Sequence, residues 1–255
     1  MDRKKIITSF GEDEKVDVLN LYDKYELAKD KDITVFGNGF TTPNIWKSFE
    51  RNFNSKYFSV DSYGFFQNAE RRMISFNNVY DLSYPMKILK IKNTSKFNNP
   101  THKDYLGAIM GLGIKRNKIG DLLLKDNCCY VPICEEIEEF IVNNLTAIGK
   151  APCKIEILEE YVIPPSPEYK EEIILVQSLR IDSIVSKLCR ISRGNAQKAI
   201  NEGRVLVDYN RINDKSKEIE SGERITIRGV GKFILGDIIG NSKSGKCRVV
   251  IKKYT

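Results

Sequence analysis

Apolar residues fall at near-helical intervals from Glu14 to Lys29, where Val16, Leu19, Tyr22 and Leu27 stand among charges. This spacing predicts an amphipathic helix. Ile33-Thr34-Val35-Phe36 reads as a strand ending at Gly37-Asn38-Gly39. Thr42-Pro43 reads as a helix start with proline in the first helical position, and Trp46 and Phe49 follow on one face. Tyr57 to Val60 reads as a second strand. Residues 1–80 are thus expected to form a small amino-terminal α/β domain.

The pattern over residues 81–163 is more regular. Met86 to Ile91 alternates as a strand, and Thr101 to Leu112 is helical, with Leu106, Ile109 and Met110 apolar. Asp121–Lys125 and Cys128–Ile133 read as strands joined by Asp126-Asn127, a tight hairpin signal. Glu135–Leu145 is helical, and Lys154–Glu159 alternates as a last strand. The order β-α-β-β-α-β is the split βαβ, ferredoxin-like pattern that RNA-recognition motifs share. Ile163-Pro164-Pro165-Ser166-Pro167 can neither continue a helix nor sit in a central strand, so residues 164–177 are read as a linker.

Residues 178–255 open with a short amphipathic helix carrying Ile181, Ile184, Val185 and Leu188. Ile191-Ser192 caps a second helix, Arg193 to Glu202, which Gly203 closes. Strands follow at Arg204–Val207, Arg224–Arg228, Phe233–Ile239 and Arg248–Lys252. The fold class expected for the whole chain is α+β in three domains.

Charge sharpens this picture. From Ser178 onward there are 17 Lys/Arg against 8 Asp/Glu, whereas the preceding 177 residues hold 24 against 26. A basic excess confined to the last third is what a polyanionic partner requires. The six cysteines form no C-x-x-C pair and His102 is the one histidine, a spacing that fits no zinc site. No apolar stretch follows the basic start, and the purest apolar run, Ile173 to Val176, is far short of a membrane span. A cytoplasmic protein without membrane attachment, metal or cofactor is expected.

Leu179-Arg180-Ile181-Asp182, then Ser192-Arg193 entering a helix with Ala196, Ile200, Gly203, Val205 and Val207, resembles the S4 RNA-binding domain over about Ser178 to Arg228. That module is a two-helix αL motif backed by a small sheet. Gly194 departs from it, since a small polar residue is more usual there. Arg193 lies in the first turn of its helix, where the macrodipole disfavours cations and free N–H groups favour an anion, so a phosphate is expected to share the site. The candidate RNA-binding residues are Arg180, Lys187, Arg190, Arg193, Lys198 and Arg204. Arg180 and Arg193 rank first because their forks match phosphate oxygens. Asp182 is read as orienting a neighbouring arginine. Charge reversal at Arg193 is expected to weaken binding while leaving the domain folded.

Ala69-Glu70-Arg71-Arg72, His102 to Ala108 and Gly111 to Asp121 are similar to segments of the YlmH family, so the resemblance spans nearly the whole chain. Phe65-Phe66-Gln67-Asn68 departs from the Gly-Pro-type turn more usual in that family. The resemblance implies an amino-terminal domain, an RRM-like domain and a terminal S4 domain. It also implies binding to large ribosomal subunits that still carry peptidyl-tRNA, in ribosome-associated quality control; some members are linked to cell division. The loop presenting Lys115, Arg116 and Lys118 reads either as a second RNA contact or as a solvated basic loop. The third strand of the middle domain offers one aromatic, Tyr130, so that sheet face is expected to be packed rather than used for single-stranded RNA.

The competing reading of an RNA-modifying enzyme like the pseudouridine synthases needs a catalytic aspartate in a dedicated domain, which the first two blocks do not resemble. No nucleotide-binding or hydrolase motif is present, so no catalytic residue and no small-molecule substrate are expected. A division-associated RNA-binding protein is the other alternative. The reading adopted is a monomeric, non-enzymatic factor for rRNA of the large ribosomal subunit, with peptidyl-tRNA as a further partner.

Overall fold

The computed structural model describes residues 3–8, 10–66, 68–158 and 169–254. The chain divides into two compact units, Met1–Pro167 and Glu168–Thr255. The proline run Ile163–Pro167 lies outside the described residues.

The first unit begins with α1 (Arg3–Thr8), α2 (Lys15–Lys31), β1 (Val35–Thr41), α3 (Pro43–Phe53), β2 (Val60–Tyr63) and β3 (Arg72–Phe76). The helices α2 and α3 match the sequence pattern, and Thr42 precedes α3 as expected. The strands differ from it. β1 runs through Gly37 and Gly39 instead of ending there, with an irregular register between Phe36 and Phe40. Gly39 marks a close backbone approach: a Cβ there would meet the Asn117 carbonyl oxygen at 2.2 Å. β2 begins at Val60, where the expected strand ended. β3 is the centre of the antiparallel sheet β1-β3-β2. Its residues Met73 to Phe76 are all buried, so it shows no alternation by which a half-exposed strand is recognised.

The same unit continues with β4 (Met86–Asn93), α4 (His102–Gly111), β5 (Leu123–Lys125), β6 (Cys128–Cys134), α5 (Glu138–Asn144), β7 (Ala147–Ile148) and β8 (Ala151–Leu158). The sheet order is β5-β6-β4-β8-β7, all antiparallel. Without the two-residue edge strand β7 this is the expected ferredoxin-like arrangement. Asp126 and Asn127 take positive φ of 50° and 60°, as a two-residue hairpin of this hand requires. One sheet face packs Leu89, Ile91, Cys129 and Val131 against Tyr105, Ile109 and Ile141 of the helices.

The two blocks expected as separate domains share cores. Phe40 and Met73 pack with Met86 and Cys134, and Phe66 and Ala69 pack with Ile88 and Leu158. Two of the segments that carried the family resemblance, Ala69–Arg72 and Gly111–Asp121, meet at this junction. Asp121 accepts the backbone N–H groups of Glu70 (2.6 Å) and Arg71 (3.2 Å), Trp46 Nε1 donates to the Glu70 carbonyl at 2.9 Å, and the Arg72 guanidinium lies 4.4 Å from the Trp46 ring centre. Burial pushes the Asp121 carboxyl up, with Glu70 adding to it, against the pull of the two N–H bonds. Phe65 and Asn68 adopt left-handed φ of 63° and 59°, a turn that delivers Phe66 onto Ile88 and Leu158. The departure at Phe65-Phe66 is therefore an apolar clamp between the blocks.

The second unit comprises β9 (Tyr169–Val176), α6 (Ile181–Cys189), α7 (Arg193–Asn201), β10 (Val205–Val207), β11 (Asn210–Arg211), β12 (Arg224–Ile227), β13 (Gly231–Asn241) and β14 (Cys247–Tyr254). One sheet of order β11-β10-β12-β13-β14-β9 backs the two helices. The expected linker is corrected here: residues 169–176 are an edge strand paired along all of β14, from Cys247↔Val176 to Tyr254↔Tyr169. Ile174 and Val176 enter the core with Ile181, Ile184, Ala196, Ile200 and Val249.

Candidate nucleic-acid interface

The turn between α6 and α7 is built by short-range chemistry. Arg190 closes α6 in the left-handed region, with φ of 54°. Ser186 Oγ donates to the Ile191 carbonyl at 2.6 Å, and the Ile191 N–H returns to the Ser186 carbonyl at 3.0 Å. Ser192 Oγ then accepts the Asn195 N–H at 3.2 Å, an N-cap of the expected kind. Gly203 ends the helical pair with φ of +69°, which any L side chain resists.

At the start of this pair sits Asp182, whose side chain is fully buried. Its carboxylate accepts both Nε (2.9 Å) and Nη2 (3.1 Å) of Arg193, Nε (3.3 Å) and Nη2 (3.2 Å) of Arg180, and Nε2 of Gln197 (2.9 Å). Burial by itself would push this carboxyl up; the hydrogen bonds of Arg193, Gln197 and Arg180 outweigh it and hold Asp182 well below the usual carboxylate range. The same bond raises Arg193 above its ordinary value. Asp182 thus does what sequence suggested, and it orients two arginines rather than one. It also answers the question of a cation in the first helical turn: the counter-charge of Arg193 is internal. Both guanidiniums remain partly exposed, with side-chain exposures of 35% for Arg180 and 46% for Arg193.

Arg193 stands on the wall of an open groove of about 870 Å³, together with Lys187, Arg190, Lys246 and Lys253. The remaining charged residue lining it, Glu172, is paired with Lys170 at 3.2 Å. Helix α6, the start of α7, strands β9, β13 and β14 and the residue Lys246 just before β14 form the walls. The groove offers two guanidiniums and three ammonium groups to an anion, which suits phosphate oxygens.

The structure therefore gathers Lys187, Arg190 and Arg193 from the sequence candidates. Arg180 sits beside Arg193 on Asp182 but does not line the groove. Lys198 is exposed on α7 outside the groove, and Arg204 is held by Glu202 at 2.7 Å. Sequence reasoning missed Lys246 and Lys253. The signal available was the run Lys243, Lys246, Arg248, Lys252, Lys253; the reason those charges reach the site, pairing of β14 with β9 beside α6, is not local.

The second candidate cluster looks different. Arg116 Nη1 donates to the carbonyls of Ile119 (2.6 Å) and Gly120 (3.1 Å). Lys118 Nζ donates to the Asn38 carbonyl at 2.5 Å and pairs with Glu136 at 2.6 Å. Of the three, Lys115 is the exposed one.

The cysteines are free, and Cys128, Cys129 and Cys134 are buried. Burial lifts the Cys134 thiol to about 11, so it is not a thiolate at neutral pH. No described helix is long and apolar enough to cross a membrane.

Residues 81–160 match the family described as "Putative RNA-binding domain in YlmH", and residues 179–225 match the S4 domain. Ribosome-associated protein quality control protein P2 of Bacillus subtilis (strain 168) is 28% identical over 197 residues, which cover 74% of this chain and 76% of that protein. Among solved structures, the cell division protein ylmH from Streptococcus pneumoniae superposes with a TM-score of 0.47 at 19% identity, over 59% of this chain and 93% of that one.

Proposed function

We propose that this chain, whose residues 81–160 and 179–225 match the YlmH RNA-binding domain and the S4 domain, is a YlmH-like, non-enzymatic factor that binds structured rRNA on the large ribosomal subunit. Its role is in ribosome-associated quality control of stalled nascent chains, with peptidyl-tRNA a further partner. The observation that carries the reading is the groove in which Lys187, Arg190, Arg193, Lys246 and Lys253 converge beside an arginine pair fixed by buried Asp182. Such a surface reads the shape and phosphates of a folded RNA rather than base edges. The Bacillus subtilis relative, a ribosome-associated quality-control protein by name, supports the choice of the ribosome.

The test is co-sedimentation of tagged protein with ribosomal fractions at low salt, comparing wild type with Lys187→Glu/Lys246→Glu. Wild type travels with large subunits, and the variant remains at the top of the gradient while keeping its melting temperature. Equal sedimentation of the two would remove the groove from the interface. Wild type absent from every ribosomal fraction would refute the ribosomal partner.

A further inference from the structure

The middle-domain sheet has a second face, turned away from α4 and α5, and it divides into two halves. Ile88, Leu158 and Leu123 lie under Phe66 and Ala69, so the apolar half is packed as the sequence suggested. The other half is open. Strand alternation places Lys90 and Lys92 opposite the core-facing Leu89 and Ile91, Lys154 opposite Cys153 and Ile155, and Lys125 beyond Leu123. The register sets Lys90 between Tyr130 and Glu156, and Lys92 between Cys128 and Lys154.

These two rows differ in one respect. Lys90 Nζ holds Glu156 at 3.0 Å. Lys92 and Lys154 are both exposed and directly opposed, and among the described residues neither has an ion-pair partner. Like charges directly opposite on antiparallel strands destabilise the pair. The fold gains nothing from this repulsion, whereas an anion lying across the two strands would relieve it.

The same end of the sheet presents an aromatic ring. Asn93, the last residue of β4, donates through Nδ2 to the Asn98 carbonyl (2.7 Å) and to Asn127 Oδ1 (3.0 Å). Its Oδ1 accepts the Ser95 N–H at 2.9 Å, and Ser95 Oγ accepts the N–H groups of Phe97 and Asn98, each at 3.2 Å. This built turn holds Phe97 94% exposed next to Lys96. A stacking ring on the loop that follows Lys92, at the end of the sheet where two lysines lack a counter-charge among the described residues, offers the base stacking and phosphate contact by which extended single strands are held.

We propose that this end of the middle-domain sheet is a second RNA contact, which takes a single-stranded segment with phosphates against Lys92 and Lys154 and a base against Phe97. It deepens the match of residues 81–160 to a putative RNA-binding domain by naming the surface and the class of RNA, and it does not depend on the αL groove. The probe is a labelled oligouridylate of roughly ten nucleotides, within the span such sites cover. Binding to the full-length chain is measured by anisotropy. Lys154→Glu gives Lys92 a partner, so it leaves the melting temperature equal or higher while weakening binding on the order of tenfold. Phe97→Ala weakens it about fivefold or more. Lys187→Glu/Lys246→Glu weakens oligouridylate binding less than Lys154→Glu does, because the groove attracts any phosphate chain whereas the base contact lies on the sheet. Wild-type affinity in both Lys154→Glu and Phe97→Ala overturns the proposal. So does loss of binding in Lys187→Glu/Lys246→Glu alone, which would put the strand in the αL groove and leave that reading standing.

Discussion

Lys115, Arg116 and Lys118 lie within four residues, while Lys187, Arg190, Arg193, Lys246 and Lys253 come from three separate stretches of chain. The compact cluster directs two of its three charges inward: Arg116 caps two carbonyls and Lys118 ties the Asn38 carbonyl and Glu136. The dispersed set faces open solvent in one groove, with Arg193 fixed by a carboxylate from below. Density of cations along a sequence therefore says little about availability. What separates the two is where each counter-charge or carbonyl sits. In the groove the counter-charge of Arg193, Asp182, is buried beneath it, and the groove's own acid, Glu172, is paired with Lys170.

The largest effect expected from breaking this contrast is at Asp182. Replacement by Ala removes five charge-assisted hydrogen bonds and leaves two guanidiniums facing each other. The loss is about 2–3 kcal/mol in urea unfolding, with weaker RNA binding besides. The structure revises one sequence-based expectation here: Arg193→Glu sets a second carboxylate against Asp182, so it lowers stability as well as affinity. pH dependence follows from the same bond. The folded-state carboxyl is depressed, so its stabilisation is complete above the unfolded value of about 3.9 and is lost as pH falls toward the folded value. Acid unfolding of Asp182→Ala is correspondingly less steep below about pH 4 than that of wild type.

Next in size is Lys187→Glu/Lys246→Glu, for which RNA affinity falls at least about tenfold and the melting temperature stays within the scatter usual for surface changes. In the other cluster the pattern inverts. Lys118→Ala loses about 1 kcal/mol of stability through its bond to the Asn38 carbonyl, and RNA affinity does not change. The smallest effect is at Lys115, where Glu shifts stability by less than about 0.5 kcal/mol. A several-fold loss of RNA affinity in Lys115→Glu alone would erase the distinction between the clusters.

Much of this was readable in the sequence. The αL helices, their Ser192 cap and the Gly203 stop follow from local rules, as does the Asp126-Asn127 hairpin, because each depends on neighbours within a few residues. β3 was hidden because Met73 to Phe76 are covered on both faces and do not alternate. β9 was hidden because its partner β14 lies some seventy residues on, and the proline run beside it suggested a linker. The union of the first two blocks was foreshadowed by Glu70-Arg71 and Asp121, which stood out as motifs without revealing that they bond to each other. For the site, composition placed the basic excess in the last third, yet only the pairing of β14 and β9 brings Lys246 and Lys253 to Arg193.

The most direct measurement is the affinity of the full chain for purified large ribosomal subunits across a salt series, wild type beside Lys187→Glu/Lys246→Glu. If about four phosphates are contacted, wild-type log K falls against log salt with a slope of about −3 to −4, and the variant's slope is shallower by about 1 to 2. A wild-type slope near zero, or identical slopes for the two proteins, would contradict the groove as the RNA-binding surface.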